Sequence, residues 1–207
     1  MAIWAALLAL IAGYVDAICY WCVGPAFAAN MTGNLVWVGI AAAGAEWRRA
    51  LSIGSVILAF LLGIVAARLL VRAHRSPRTA FLVEAVLIAL AATGELGAAA
   101  IPLLAAAMAL QNEAGVHGVV AVNVAFITGD LQQFGERLVA ETVPSERAPT
   151  DNRGRVILVI LAFYAAGAAV GTWASGLAAS ALLGPAAVLA LGAALPPRWT
   201  RLSPSKG

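Results

Sequence analysis

The sequence predicts an all-α, polytopic helical membrane protein made of two inverted repeats, with six crossings and two re-entrant or broken helical segments. Three observations lead there: an apolar composition, a Thr-Gly-polar motif that occurs twice, and an uneven placement of basic residues. Of 207 residues, 62% are hydrophobic and only 11% are charged, against roughly 25% charged in soluble domains. So little polar surface cannot cover a water-soluble globule, which makes lipid the main solvent. The net charge of +3 is small, and the basic residues sit in short loops and tails as membrane topology alone would place them. No nucleic acid is implied.

Eight apolar stretches follow one another at 3–23, 27–44, 51–71, 80–95, 98–116, 119–135, 156–175 and 177–195. The first is apolar from its start, has no basic leading region and carries an acid in its second half, so it reads as a retained helix rather than a cleaved signal. The second and sixth are interrupted by polar side chains. The sixth holds Asn123, Thr128, Asp130, Gln132 and Gln133, a poor composition for the roughly 20 apolar residues that a crossing needs. Polar breaks fall at Glu46 to Arg49, Arg72 to Arg78, Glu95, Glu136 to Arg155 and Pro196 to Gly207. The expected organisation is one transmembrane domain over 1–195, with repeat one at about 1–95 and repeat two at about 96–195, then a short cytoplasmic tail at 196–207.

The repeat rests on equal spacing. At one offset of 96, Asp16 falls on Asn112, Thr32 on Thr128, Gly33 on Gly129, Asn34 on Asp130 and Gly39 on Gly135. Further on, Val56-Ile57-Leu58-Ala59-Phe60 matches Val159-Ile160-Leu161-Ala162-Phe163 at an offset of 103. Matches among Ala, Val and Leu carry little weight in so biased a chain; the Thr-Gly-polar match at equal spacing carries the case.

Basic residues distinguish parallel from inverted copies, because short cytoplasmic loops collect Lys and Arg. The third stretch of copy one ends in Arg68, Arg72, Arg75 and Arg78, whereas its counterpart around Ala174 to Ala178 holds none. Copy one ends near Gly94 to Gly97 without a base, whereas copy two ends in Arg198, Arg201 and Lys206. Corresponding loops thus lie on opposite sides, as inverted repeats require. Inversion needs an odd number of crossings per copy, so the motif-bearing segments 27–44 and 119–135 enter and leave on one face. Both termini are then cytoplasmic, and Arg48 and Arg49 fall outside as a mild violation. The competing arrangement is eight crossings in parallel copies, with the basic tail outside.

Asp16, Glu84, Glu113 and Asp130 are acids within or beside apolar stretches, where a central charge costs at least about 2.5 kcal/mol on insertion scales. Glu84 and Glu113 are expected near the interfaces, with their carboxyls reaching water. Asp16, flanked by Tyr14, Val15, Ala17 and Ile18, lies well inside its helix and is the candidate for coupling movement to protons. In Asn30-Met31-Thr32-Gly33-Asn34 and Phe126-Ile127-Thr128-Gly129-Asp130 the threonine can cap a helix and the glycine permits close approach to the backbone. Two such helix starts, aimed inward from opposite faces, would make a polar site for a small or anionic solute. Its candidate residues are Asp16, Asn30, Thr32, Gly33, Asn34, Asn112, Asn123, Thr128, Gly129 and Asp130. Helix packing through small residues is the competing reading of Thr-Gly, and the amides of Gln111, Asn112 and Asn123 could equally bridge helices.

Other chemistry has less support. Cys19-Tyr20-Trp21-Cys22 has the spacing of a redox thiol pair, but the chain offers no further cysteine to relay electrons, and two small buried hydrophobes are the simpler reading. His74 and His117 are too far apart in sequence to suggest a metal-ligand cluster. No catalytic constellation, metal site or cofactor motif stands out, so no enzyme activity is expected. Trp4, Trp47 and Trp199 fit interfacial anchors.

Gly13-Tyr14-Val15-Asp16-Ala17, then Phe27-Ala28-Ala29-Asn30-Met31-Thr32-Gly33-Asn34, and later Met108-Ala109-Leu110-Gln111-Asn112 and Thr128-Gly129-Asp130-Leu131, resemble the YoaK-like family of bacterial multi-pass membrane proteins, domain of unknown function 1275. The resemblance covers nearly the whole chain and implies a bacterial cytoplasmic (inner) membrane location. It implies no catalytic or binding residues. The expected function is a small-solute transporter or permease. The alternatives are a membrane thiol or quinone redox protein using Cys19 and Cys22, or a non-transporting assembly protein. The implied partners are the lipid bilayer, a small polar or anionic solute and, for an oligomer, a second copy of the chain.

Overall fold

A computed structural model describes residues 2–74, 76–116, 127–142 and 153–194, and all of its regular structure is helical. The helices are α1 (Ala2–Ile18), α2 (Met31–Ala43), α3 (Trp47–His74), α4 (Arg78–Ala92), α5 (Ala100–Ala114), α6 (Ile127–Thr142), α7 (Arg153–Ala174) and α8 (Leu183–Ala194). A wide turn of π-helix, Cys19–Val23, extends α1. Short 3-10 segments, Gly97–Ala99 and Ser175–Leu182, lead into α5 and α8. Asn123, His117, Trp199 and the tail at 196–207 lie outside the described residues.

Among the described residues, three helical stretches are long and apolar enough to cross a membrane: Ala2–Val23, Trp47–Ala73 and Gly154–Ala194. The last has 41 residues, about twice what one crossing needs. It folds back on itself at Ala178, whose φ of 53° breaks the helix. By contrast α2 has 13 residues, about 20 Å of helix at 1.5 Å per residue, short of a hydrocarbon core of roughly 30 Å.

The centre of the molecule is α1. Of its apolar stretch 61% is buried inside the protein, against 28% for α3 and 22% for Gly154–Ala194. The outer helices turn Leu58, Leu61, Leu62, Val65, Leu69 and Trp173 outward, an apolar surface suited to lipid rather than water. Trp4, expected as an interfacial anchor, instead stacks on Phe81 with ring centroids 6.3 Å apart and packs against the core. Trp47 is exposed.

Packing follows an exchange of partners. α1 lies along α7, and α3 lies along α5. A Cβ at Gly167 would strike the Leu10 carbonyl and one at Gly13 the Tyr164 carbonyl, while one at Gly171 would come within 2.6 Å of the Tyr14 carbonyl. Leu10 thus meets Gly167 and Tyr14 meets Gly171, so α1 and α7 run in the same direction. A Cβ at Gly63 would lie 2.8 Å from both the Ala106 carbonyl and the Ala109 side chain, and Arg68 pairs with Glu113 one to two turns further on. Hence α3 and α5 also run together. Backbone-to-backbone approach of this kind requires small residues, as is usual between membrane helices.

The remaining helices close the bundle. α4 packs on α5 and α8, and the α4–α5 turn uses Gly94 and Gly97 at φ of 76° and 49°, a region that glycine occupies without steric cost. α8 runs back along α1: the Tyr14 hydroxyl donates to the Ala181 carbonyl at 2.9 Å, and Gly192 sits against Trp4. α2 rests on α3, and α6 on α7.

Candidate functional site

The polar centre forms where the chain leaves α1 and returns. Pro25 lacks the N–H that a continuing helix would use, and the backbone after Val23 doubles back until Ala29 lies beside Asp16. The Ala29 N–H donates to Asp16 Oδ1 at 2.7 Å, and the amides of Ala28 and Asn30 turn toward the same carboxylate. Seven residues separate Asp16 from Val23, so α2 begins roughly 10 Å short of the end of α1. The helical part of the second apolar stretch therefore starts inside the protein.

Each polar side chain of this segment has a defined task. The Asn30 side chain accepts from the Gly33 N–H at 3.1 Å, which caps α2. The Asn34 amide accepts from Phe27 N–H at 2.8 Å and donates to the Phe27 carbonyl at 2.7 Å, closing the loop that enters the helix. Only a side chain with both an acceptor and a donor completes that pair. Gly33 lies over the Phe27 ring and the Asn30 amide: a Cβ there would come within 3.1 Å of the ring. Thr32 is exposed. The expected capping role thus belongs to Asn30, because the helix starts at Met31, two residues earlier than a cap at Thr32 needs. Around this helix start the Ala29 N–H is taken by Asp16, the Gly33 N–H by Asn30 and the Met31 N–H by the Ala29 carbonyl.

The other oxygen of Asp16 faces the second half of the chain. Tyr164 on α7 donates its hydroxyl to Asp16 Oδ2. Asp16 is buried, and through these bonds it joins the lead-in of α2, the central helix α1, and α7. No motif pointed to Tyr164. It lies in an apolar run whose counterpart in the first copy is Leu61 at the offset of 103, so only that local mismatch could have marked it.

The second motif is arranged differently. Thr128, Gly129 and Asp130 belong to the first turn of α6, with Thr128 exposed and Asp130 buried. Their helix α6 packs on α7, while α2, which carries the first motif, packs on α3. Asn112, the counterpart of Asp16, buries its side-chain oxygen without a hydrogen-bond partner. Of the predicted site, the structure gathers Asp16, Asn30, Gly33 and Asn34 into one cluster; Asn112 and Thr128 to Asp130 belong to other helices.

Other features lie around and beyond the cluster. On the side where α1 ends, a cavity of about 200 Å³ is lined by Val23, Gly24, Ala26, Arg49, Ser52 and Ile101 among others. Arg49 pairs with Glu46 at 3.2 Å and stacks over Trp37 at 5.2 Å. Cys19 is buried and Cys22 donates to the Ser175 carbonyl at 3.4 Å; both are free thiols. Glu84, expected to reach water, is fully buried on α4, whereas Glu113 pairs with the half-exposed Arg68 at 2.8 Å.

Residues 4–195 match the model of a family described as "Protein of unknown function (DUF1275)". No curated protein and no solved structure matches the chain.

Proposed function

We propose that this chain, which belongs to the family just described, is a small-solute membrane transporter with an inverted two-copy architecture, in which Asp16 couples solute movement to a proton. The observation that carries the reading is the place of Asp16: one buried carboxylate ties the start of a helix too short to cross to a helix of the other sequence copy.

The packing supports the architecture. α1 runs with α7 and α3 with α5, which is what exchanging the two copies would produce. The end of α1 shares a cavity with the starts of α3 and α5, so α2 leaves and returns on that face. α3 and α5 then lead to the opposite face, where the Arg72 to Arg78 loop lies, and α8 returns toward the start of α1. This reading gives six crossings, two segments that do not cross, and both ends of the domain on the basic, cytoplasmic side.

The chemistry follows from what Asp16 accepts. As a carboxylate it takes the N–H groups ahead of α2, the position where a helix start favours negative charge. A proton on Asp16 removes that charge and weakens its hold on these donors, leaving them for the anionic group of a solute. Proton and anion then bind together, and neither carries net charge across alone. Release of the Tyr164 contact at the same step loosens α7 from α1, a movement that alternating access needs.

The test is reconstitution into liposomes with an entrapped pH dye and a panel of small carboxylates and inorganic anions. At least one anion is expected to drive proton entry, and Asp16→Asn is expected to uncouple it while the protein stays folded. If no anion or proton moves and Asp16→Asn leaves the cellular phenotype unchanged, the reading is wrong.

A further inference from the structure

A second buried acid lies outside the Asp16 cluster. Glu84 is 0% exposed, and among the described residues neither of its oxygens has a hydrogen-bond partner. Gln111 on α5 is 2% exposed; its amide nitrogen donates to the Leu8 carbonyl at 3.0 Å, and its amide oxygen is also without a partner. Two contacts set the register of these groups. The Trp4 ring stacks on Phe81, which fixes the level of α4 against α1, and the Gln111 bond fixes the level of α5 against α1. Glu84 follows Phe81 by three residues and Leu8 follows Trp4 by four, so Glu84, Leu8 and Gln111 share one depth of the bundle, on helices joined by the packing of α4 on α5 and the bond from α5 to α1.

Three unsatisfied acceptor oxygens at one depth, from a carboxyl and an amide, lack only donors. A bare carboxylate buried without a partner costs several kcal/mol, whereas one proton neutralises the charge and supplies a donor. The charged groups nearby do not replace it. From α5, Glu113 is engaged with Arg68 of α3; Arg78 lies on α4 itself, one to two turns before Glu84; Asp16 on α1 is two turns beyond Leu8; α8 and the Ser175–Leu182 segment contain no titratable side chain.

We propose that Glu84 is a second proton-binding site of this protein, holding its proton in the α1–α4–α5 interior opposite the free amide oxygen of Gln111. The assignment concerns the carboxyl itself and does not depend on the transporter reading, because its tests measure no flux.

Infrared difference spectroscopy of the full chain in lipid is the first test. A protonated-carboxyl stretch is expected at pH 8, lost in Glu84→Gln, kept in Asp16→Asn and shifted in Gln111→Leu. Glu84→Gln is expected to melt at the parent temperature, since Gln has the shape of a neutral Glu. The second test needs no variant: a hydrophobic carbodiimide, which attacks only protonated carboxyls, should label the Glu84 peptide within about twofold at pH 6 and pH 8. An ionising acid of ordinary affinity would lose about 100-fold over those two units. A parent spectrum at pH 8 without a band that Glu84→Gln removes overturns the proposal, as does labelling that collapses with pH. Sodium-dependent protection at constant pH would assign the site to a cation instead, and would also overturn it.

Discussion

The two sequence copies carry the same polar parts in opposite places. Copy one has its carboxylate on the long helix, Asp16, and its amide on the short one, Asn34; copy two has Asn112 and Asp130. In copy one every one of these groups is engaged: Asp16 receives Ala29 and Tyr164, and Asn34 closes on Phe27. In copy two Asn112 leaves a buried oxygen unsatisfied, and the residue matching Tyr164 in copy one is Leu61, which cannot donate. On the proposed two-copy reading, matching polar positions of the two halves meet different partners. The difference teaches where to look for control: at the half whose acid is tied to both copies.

The strongest test of that comparison is mechanical. The α1–α7 contact is backbone against backbone at Gly13 and Gly167, whereas the α3–α5 contact at Gly63 is looser. Gly167→Val should prevent correct assembly of the pair and leave no monodisperse folded protein in detergent. Gly63→Val should cost only about 1–3 kcal/mol, the usual range for overpacking, and leave a lowered melting temperature. Equal effects at both sites would show that the two interfaces are equivalent after all.

Next in size is Asp16→Ala, which strands two buried donors. At about 1–3 kcal/mol for each orphaned group, the loss should be about 2–6 kcal/mol. Tyr164→Phe should cost less, because it removes a donor and leaves the Ala29 bond in place. A double-mutant cycle of these two positions should give a coupling of at least about 1 kcal/mol; additivity would show that the hydroxyl contributes nothing to holding α7.

Much of this arrangement was legible in the sequence because it depends on local chemistry. Polar residues in apolar stretches marked the interruption at α2, and Asp16 stood out because a lone acid in a spanning helix demands a partner. Asn30 rather than Thr32 caps the helix because the cap is set by where the first turn starts, a matter of two residues that composition does not resolve. Tyr164 was not legible, since a tyrosine in an apolar run looks like any other aromatic until the partner helix is known. Glu84 misled for the same reason: an acid within or beside an apolar stretch suggested an interface, while its burial depends on the helices that pack on α4. Long-range neighbours, not local pattern, decide what a buried polar group meets.

Asn34→Asp tests the exchange of carboxylate and amide at a smaller scale, giving copy one the residue that copy two carries. An acid can still accept from the Phe27 N–H but cannot, when ionised, donate to the Phe27 carbonyl 2.7 Å away. A loss of about 1–3 kcal/mol is expected, read as a lowered melting temperature with the helix content unchanged. No loss would mean that the two motifs are interchangeable, and the contrast between the copies would then rest on Tyr164 alone.

The smallest effect is expected at the other end of the α3–α5 pair. Arg68 and Glu113 meet at 2.8 Å, but the arginine side chain is 50% exposed, so water competes for it and the pair should contribute about 0–1 kcal/mol. Arg68→Gln should therefore shift the melting temperature by no more than a degree or two, far less than Asp16→Ala. Added salt should reduce even that difference, because an exposed pair is screened. Were Arg68→Gln to cost as much as Asp16→Ala, the α3–α5 pair would be held by a charge as firmly as α1–α7 is by Asp16, and the asymmetry between the two helix pairs would lie only in which residues carry it.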